Sequence, residues 1–321
     1  MRLISFLVYI PLQIAFIPLA IAGVVLVAYR QMIVSKKMGI SQTAIEVING
    51  RWTMHVFGLR NDVATANLAA KLPNTSIFGL WLVIFPLWVK YKISGELFLY
   101  PRIADSGAEN LSDLVIARTL YFDRIIESAI GTIDQFVLMG AGYDTRAYRG
   151  ENPHQITFFE LDQPDVQAHK LQALANANIS CNHVHFVNLD FTRDDVFEKL
   201  AEAGYDPAKK TLFLWEGVTL YLSEAEVRRT MRSVSSHACK NSILLADIYA
   251  NRMLNIAKSN VGKQVMDYTN EGLGFGLDLT TSWKDVLSEF VESESLSLGE
   301  AIYMGSDSDS GPFMVVVEMR C

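Results

Sequence analysis

Two glycines and a carboxylate at a characteristic spacing are the first candidates for chemistry. In Gln135-Phe-Val-Leu-Met-Gly-Ala-Gly-Tyr-Asp-Thr-Arg146 an apolar run leads into Gly140 and Gly142, and Asp162 follows about 20 residues later, at the end of Phe158-Phe-Glu-Leu-Asp162. Glycines let the backbone approach a ligand closely, and a carboxylate accepts hydrogen bonds from ribose hydroxyls. A doubly wound sheet binds nucleosides through this arrangement. The pattern therefore predicts a nucleoside-containing cofactor.

Acids also follow two further apolar runs. Asp190 and Phe191 come after 183–188, and Glu216 comes after 211–215. Ligands of open α/β sheets bind at the carboxyl ends of parallel strands, so we expect these side chains along one edge with Asp162. At that edge Asp190 could accept a hydrogen bond from an amino group on a purine, and Phe191 could form an apolar wall. Glu216 would lie beneath the reacting end of the ligand. A strand-end acid can instead cap the next helix, but three in register favour a site.

The glycine spacing leaves two cofactor classes open. A dinucleotide fingerprint needs a third small residue that lets the helix pack closely on the strand, and here Thr145 stands at that place. This weakens the interpretation as an NAD(P)-dependent reductase without removing it. A GxG pair alone is weak, since many such pairs are turns.

Strands and helices alternate through the rest of the chain. We predict strands at 136–139, 156–160, 183–188, 211–215 and 242–248, helices near Thr145 and at 41–76, 111–130, 165–176, 194–203, 224–235 and 284–290, and a final hairpin of 301–304 with 313–319. Ser223 and Glu226 form a capping box for the 224–235 helix. Such alternation predicts an α/β, Rossmann-like, doubly wound and mainly parallel seven-stranded sheet with a C-terminal antiparallel hairpin.

Composition excludes several classes of protein. The 321 residues carry a formal net charge of −7, which argues against a nucleic-acid binder. The three cysteines, Cys181, Cys239 and Cys321, are scattered and form neither a disulfide framework nor a zinc site. His183 and His185 share a face of one predicted strand, but no third ligand stands nearby, so we expect no metal.

The beginning of the chain has a membrane signal. Residues 3–28 are almost continuously apolar, and as a helix they would span roughly 39 Å, more than a bilayer core of about 30 Å. Arg30, Lys36 and Lys37 follow this run, whereas only Arg2 precedes it. The positive-inside rule then predicts a transmembrane anchor at 1–29 with the catalytic domain in the cytoplasm.

A second apolar stretch, 77–93, is short for a full span. Its Trp81, Trp88, Lys90 and Lys92 favour a lid helix or a segment in the membrane interface, and a second crossing is the alternative. The predicted organisation is an anchor at 1–29, a helical lid at 30–110 and a catalytic domain at 111–321.

Four motifs in order resemble one known family, the leucine carboxyl methyltransferases with their polyketide O-methyltransferase relatives. They are Arg118-Thr-Leu-Tyr-Phe-Asp123, Gln135-Phe-Val-Leu-Met-Gly-Ala-Gly-Tyr-Asp-Thr-Arg-Ala-Tyr-Arg149, Glu160-Leu-Asp-Gln-Pro164 and Glu216-Gly-Val-Thr-Leu-Tyr-Leu222. The resemblance covers about 41–321, and the segment from Ser41 to Asp62 is similar, more loosely, to the family's helical lid. It leaves the apolar run at 3–28 outside.

The resemblance implies S-adenosylmethionine as cofactor and a role for each matched residue. Arg118 would pair with the cofactor's carboxylate, and Tyr221 would face the acceptor. Core packing is the alternative role for Tyr221, and a surface ion pair is the alternative for Arg118. The remaining implied contacts are Gly140 and Gly142 under the methionine part, Asp162 on the ribose, Asp190 and Phe191 on the adenine, and Glu216 near the methionyl end.

The matched motifs indicate only the chemical class of the methyl acceptor. A carboxylate is ionised at neutral pH and needs no general base, and the matched motifs contain no obligatory His or Lys, so we expect O-methylation of a carboxylate or acidic hydroxyl. The membrane signal favours an amphiphilic acceptor, whether small molecule, lipid or protein. A reductase and a non-catalytic membrane-tethered scaffold remain the alternatives.

Overall fold

A computed structural model of the chain describes residues 1–150, 152–257, 272–305 and 310–321. The described residues form two compact units. The N-terminal unit comprises 1–103, 143–149 and 169–180, and the sheet unit comprises 104–142, 150–168 and 181–321. The predicted division into anchor, lid and catalytic domain stays a prediction.

Seven strands make up the sheet among the described residues, in the order β3-β2-β1-β4-β5-β7-β6. They are β1 Gln135–Met139, β2 Thr157–Asp162, β3 Val184–Asn188, β4 Thr211–Trp215, β5 Ile243–Tyr249, β6 Ser297–Met304 and β7 Met314–Arg320. The first five are parallel, and β7 pairs antiparallel with both β5 and β6. The predicted fold class is confirmed, including the antiparallel hairpin.

Apolar side chains bury both faces of the central strands. Every residue of β1 and β4 is buried, as expected for parallel strands covered on two sides. The sheet unit also contains α6 Leu114–Ala129, α8 Val196–Glu202, α9 Glu224–His237, α10 Asn251–Ala257 and α11 Trp283–Glu292. The helix α7, Pro164–Asn176, begins in this unit and continues into the other. The predicted capping box at Ser223 and Glu226 is confirmed.

One predicted helix is much shorter than expected. After β1 and its glycine turn, the chain forms only a three-residue 3-10 helix, Arg146–Tyr148. The reason lies in the ion pairs of this segment. Asp144 accepts from Arg51 at 2.9 Å and from Arg146, and Thr145 donates to Asp62 at 2.8 Å. These bonds hold the segment in an irregular conformation.

The N-terminal unit is otherwise helical. It contains α1 Arg2–Ala28, a π-helical turn Tyr29–Val34, α2 Ser35–Met38, α3 Gln42–Val56, α4 Val63–Ala69 and α5 Ile77–Ser94. Asp62 caps α4 by accepting from the Thr65 amide, and Ser76 caps α5 by accepting from the Gly79 amide. The predicted helix at 41–76 is therefore two helices, α3 and α4, separated by 57–62, and 70–76 is not helical.

Two helices of the described residues are long and apolar enough to cross a membrane. The first runs through Arg2–Met38 with a mean hydropathy of 2.4, and the second is α5 with a mean hydropathy of 1.4. The apolar N-terminal helix is present as expected, and its passage through a bilayer stays a prediction.

Candidate functional site

Gly140 ends β1 at the centre of the sheet. Its φ is +72°, a left-handed conformation that favours glycine. A Cβ built on Gly140 would lie 2.3 Å from Cγ2 of Val218, which follows β4. Strand β1 has β2 on one side and β4 on the other, so Gly140 lies where the strand order reverses. Ligands of doubly wound sheets bind at this switch point.

The glycine turn is joined to the end of β2. Gly142 donates its backbone N–H to Oδ2 of Asp162 at 2.6 Å, and Gln163 donates its N–H to Oδ1 at 2.7 Å. A carboxylate can accept about four hydrogen bonds, and these are two of them. Asp162 is half-buried. The predicted pairing of glycine turn and carboxylate is therefore present as a direct contact.

Arg118 lies at the centre of a buried charged cluster. Its guanidinium NH1 donates to Oδ2 of Asp247 at 2.9 Å and to the Tyr249 hydroxyl at 2.7 Å. Its Nε lies 3.3 Å from Oε1 of Glu216. Arg118 and Glu216 side chains are each 7% exposed, and that of Asp247 is fully buried. We define Arg118, Glu216, Asp247 and Tyr249 as the Arg118 cluster.

Burial and charge oppose each other in this cluster. Burial alone would lower the pKa of Arg118, but Tyr249 and Asp247 outweigh it and the pKa is raised above its ordinary value. Burial raises the pKa of the Asp247 carboxyl, and the Arg118 guanidinium acts against that rise. Burial likewise raises the pKa of Tyr249 well above its usual range. Arg118 is therefore held as a cation and Tyr249 as a neutral hydroxyl.

Asp247 also fixes the segment that follows β4. The Gly217 N–H donates to both carboxylate oxygens of Asp247, at 2.9 Å each, and the Thr219 hydroxyl donates to its carbonyl oxygen at 2.6 Å. A 3-10 helix, Thr219–Tyr221, follows directly. Tyr221 is half-buried and close enough to Arg118 to influence its pKa. One carboxylate thus positions both the arginine and the loop carrying Glu216.

Asp190 does not cap the next helix, because Asp195 caps α8 by accepting from two of its backbone amides. The Oδ1 of Asp190 accepts instead from the Thr192 N–H at 2.9 Å and from the Thr192 hydroxyl at 2.7 Å, and the carboxylate stays about a third exposed. Burial would raise the pKa of Asp190, but the two bonds from Thr192 outweigh it and lower the pKa. The ring of Phe191 packs 5.8 Å from that of Trp215 and is mostly buried.

The structure brings the predicted site residues together in two groups. Gly142 contacts Asp162, and Arg118 contacts Glu216. Asp190 and Phe191 follow β3 at the same edge of the sheet, and their predicted roles stay predictions. Sequence reasoning missed Asp247 and Tyr249. Asp247 lies near the end of a predicted strand, as the other acids do, and that position was the signal that could have found it.

Comparison with known proteins gives the relatives of this chain. Residues 94–235 match the sequence model of the leucine carboxyl methyltransferase family, which confirms the resemblance carried by the four motifs. A Mycobacterium tuberculosis (strain ATCC 25618 / H37Rv) protein with the provisional name of S-adenosyl-L-methionine-dependent methyltransferase is 34% identical over 194 residues. That alignment covers 58% of this chain and 55% of the relative.

Other relatives match over shorter stretches. A Parafrankia protein with the same provisional name is 35% identical over 140 residues, covering 43% of this chain and 44% of the relative. The chain thus spans about half the length of the curated relatives it matches. Among solved structures, an O-methyltransferase family protein from Burkholderia thailandensis overlaps with a TM-score of 0.43 at 13% identity, over 65% of this chain and 57% of that protein. That overlap is too weak to add to the argument.

Proposed function

We propose that this chain, whose residues 94–235 match the leucine carboxyl methyltransferase family, is an S-adenosylmethionine-dependent methyltransferase. The observation that carries the proposal is the excess of carboxylates at the carboxyl edge of the sheet. Glu216 and Asp247 surround a single Arg118, and Asp162 lies at the end of β2, on the other side of β1.

Charge favours this cofactor over a dinucleotide. S-adenosylmethionine carries a sulfonium, an ammonium and one carboxylate at neutral pH, so its net charge is positive. NADH and NADPH carry negative phosphates instead. Three carboxylates against one guanidinium complement the first ligand and repel the second. The left-handed φ of +72° at Gly140 also supports the proposal, because it turns the chain directly after β1 as the glycine turn of a nucleoside site does.

Each matched residue then has a proposed role. Asp162 binds the ribose hydroxyls, and Gly140 and Gly142 lie under the methionine part of the cofactor. Asp190 and Phe191 hold the adenine. Their positions at successive strand ends support these roles.

The Arg118 cluster is proposed to hold the methionyl end of the cofactor. Glu216 accepts from its ammonium group, and Arg118 pairs with its carboxylate. The bonds of Asp247 and Tyr249 to Arg118 support this by fixing the guanidinium in one orientation.

Methyl transfer to oxygen is the proposed reaction. The bound cofactor supplies an electrophilic methyl group on sulfur, and the acceptor oxygen attacks in line as the carbon–sulfur bond breaks. The residues of this chain position the acceptor and exclude water, and a carboxylate or acidic hydroxyl needs no general base for the step. Tyr221 is proposed to face the acceptor, where its hydroxyl orients the attacking oxygen.

We propose that the acceptor is encountered at a membrane. The apolar helix α1 supports association with a bilayer at its cytoplasmic face, which favours an amphiphilic small-molecule, lipid or protein acceptor because tethering raises the local concentration.

Cofactor choice is tested by parallel calorimetric titrations of the purified chain with S-adenosylmethionine and with NADPH. We expect saturable heat from S-adenosylmethionine alone. Heat from NADPH alone would replace the proposal with the reductase interpretation. S-adenosylmethionine binding without transfer to any acceptor would favour the scaffold.

A further inference from the structure

The helices α1 and α5 lie side by side and antiparallel along their length. Arg2 near the start of α1 pairs with Glu96 just beyond the end of α5, at 2.5 Å. Towards the middle, the rings of Phe16 and Phe85 stack with their centroids 5.2 Å apart. Further along, Gly23 and Gly79 allow close contact, because a Cβ on Gly23 would lie 2.6 Å from the Gly79 carbonyl oxygen.

A second face of α5 packs against α3. The rings of Trp52 and Trp81 meet at 5.5 Å, and those of Phe57 and Tyr91 meet at 5.4 Å. Trp52 belongs to α3, and Phe57 directly follows it. The helix α5 is therefore in contact with α1 along its length and with α3 and its C-terminal end through these two pairs of rings.

Chain segments before and after α5 are bonded to each other. Arg51 of α3 pairs with Asp144 at 2.9 Å, and the hydroxyls of Thr65 and Thr145 lie 2.6 Å apart. Arg51 and Thr65 precede α5, whereas Asp144 and Thr145 follow it. Among the described residues between α5 and Asp144, no further helix is long and apolar enough to return through a bilayer. Both ends of α5 must therefore lie on one side of a membrane.

The same conclusion extends to α1. Arg2 lies beside the C-terminal end of α5, and Gly23 lies beside its N-terminal end. The stretch from Arg2 to Gly23 therefore runs between the same two levels as α5. A crossing by α1 would carry the two ends of α5 to opposite faces of the bilayer. The bonds that join the chain before α5 to the chain after it exclude that arrangement.

The outward side of α1 is a continuous apolar surface. We define the apolar strip as Leu3, Leu7, Ile10, Ile14, Ile21 and Val25, whose exposed fractions run from 52% to 75%. Monomeric soluble proteins rarely expose contiguous apolar patches larger than a few hundred Å². This strip runs the full length of a 27-residue helix, so it requires a covering partner.

Basic residues flank the strip at both of its ends. The exposed Lys92 lies at one end, together with the ion pair of Arg2 and Glu96, and Arg30 and the exposed Lys37 lie near the other. A spanning helix usually concentrates positive charge on one side of the membrane. Positive charge at both ends instead suits a helix whose two ends meet the headgroups of the same leaflet, with anionic lipids favoured.

We propose that α1 docks the protein on one leaflet of an anionic phospholipid bilayer, with the apolar strip immersed and the helix lying in the plane of the membrane. Both ends of α1 remain on the side that carries the rest of the N-terminal unit. This differs from the spanning anchor that hydropathy alone predicts. The difference arises because hydropathy does not detect the bonds that join the chain before α5 to the chain after it.

Flotation of the purified full chain with phosphatidylglycerol-containing vesicles tests the docking. We expect the wild type to float. The strip variant, which combines Leu7→Glu, Ile14→Glu and Ile21→Glu, should have a bound fraction at least tenfold lower. The matched control is Val63→Glu with Ile103→Glu and Leu171→Glu, three exposed apolar residues of the same unit outside α1. This control should float like the wild type.

Cysteine accessibility tests the orientation. In a chain with Cys181, Cys239 and Cys321 changed to serine, single cysteines are introduced as Arg2→Cys, Lys37→Cys and Lys240→Cys. Sealed inverted vesicles from the expressing cells are treated with a membrane-impermeant maleimide. We expect all three positions to react equally before and after the vesicles are lysed.

Three outcomes would overturn the inference. Protection of Arg2→Cys until lysis, with Lys37→Cys reactive, would show a spanning helix. If the wild type does not float and sediments as a dimer, whereas the strip variant sediments as a monomer, a second copy of the chain covers the strip. Equal flotation of the strip variant and the wild type would place membrane binding elsewhere.

Discussion

The backbone N–H of Gly142 donates to the Asp162 carboxylate at 2.6 Å, so the glycine turn after β1 and the acid at the end of β2 form one structural unit. The bond holds the carboxylate at the edge of the sheet. This is the part of the proposed cofactor site that a ribose would meet.

Asp162→Ala should weaken S-adenosylmethionine binding. Hydrogen bonds to a charged group contribute about 1.5–3 kcal/mol, which corresponds to a loss of about 10- to 100-fold in affinity. Calorimetric titration measures the change. The control is Asp165→Ala, an exposed carboxylate in the first turn of α7, for which we expect affinity within about twofold of wild type by the same conversion. Equal losses in both variants would remove Asp162 from the site.

In a Glu216→Gln background, Asp247→Asn should destabilise the sheet unit because it removes the remaining buried carboxylate beside Arg118. Breaking a buried ion pair costs about 3–5 kcal/mol, whereas replacing both partners by apolar groups is often neutral. Urea unfolding in that background should therefore show a lower free energy of unfolding for Asp247→Asn than for Arg118→Met with Asp247→Leu.

Cofactor binding distinguishes a role of the Arg118 cluster in binding S-adenosylmethionine from a role in stabilising the fold. Both of these variants should lose affinity for S-adenosylmethionine, since each removes the oriented guanidinium or its support. A stable double variant with wild-type affinity would show that the Arg118 cluster serves the fold alone.

Gly140→Ala should destabilise the protein for two separable reasons. A left-handed φ costs a non-glycine residue about 1–2 kcal/mol, and the new Cβ would overlap Val218 at 2.3 Å. Overpacking of this kind typically costs about 1–3 kcal/mol. Adding Val218→Ala removes the overlap but not the strain, so chemical unfolding should show partial recovery. Full recovery would mean that the φ of +72° is not required.

Acid should remove the contribution of Asp144 to the stability of the N-terminal unit. Burial would raise the pKa of Asp144, but Arg146 and Arg51 outweigh it and hold the pKa well below its usual range. A group with a depressed folded-state pKa stabilises the fold above its unfolded pKa of about 3.9 and loses this contribution as the pH falls. Asp144→Asn should thus cost about 3 kcal/mol at pH 7 and progressively less below pH of about 4.

Unfolding free energies of wild type and Asp144→Asn, measured from pH 7 to pH 3 in mild detergent, check that convergence. Arg51→Met with Asp144→Leu also lacks the titrating carboxylate, so its gap from wild type should narrow with falling pH in the same way. A constant gap between wild type and Asp144→Asn across the range would contradict the depressed pKa.

Local sequence patterns predicted the sheet because each strand is a compact apolar run that ends in a glycine or an acid. β4 matches its predicted range, and β1 begins one residue earlier than predicted. Asp247 and Tyr249 escaped prediction because their partner Arg118 lies 129 and 131 residues away in the chain. The irregular segment at 143–149 escaped for the same reason, since Arg51 binds Asp144 from 93 residues away. Spacing rules describe neighbours along one element, and these contacts join distant ones.

Transfer of a labelled methyl group tests the central claim most directly. The full chain is incubated with methyl-labelled S-adenosylmethionine and, separately, with membrane lipid extract, cytosolic small molecules and cytosolic protein. We expect label in one of these fractions with the wild type and at least a tenfold lower rate with Asp162→Ala at limiting cofactor. Absence of label from every fraction, although the wild type binds the cofactor, would contradict methyltransferase activity.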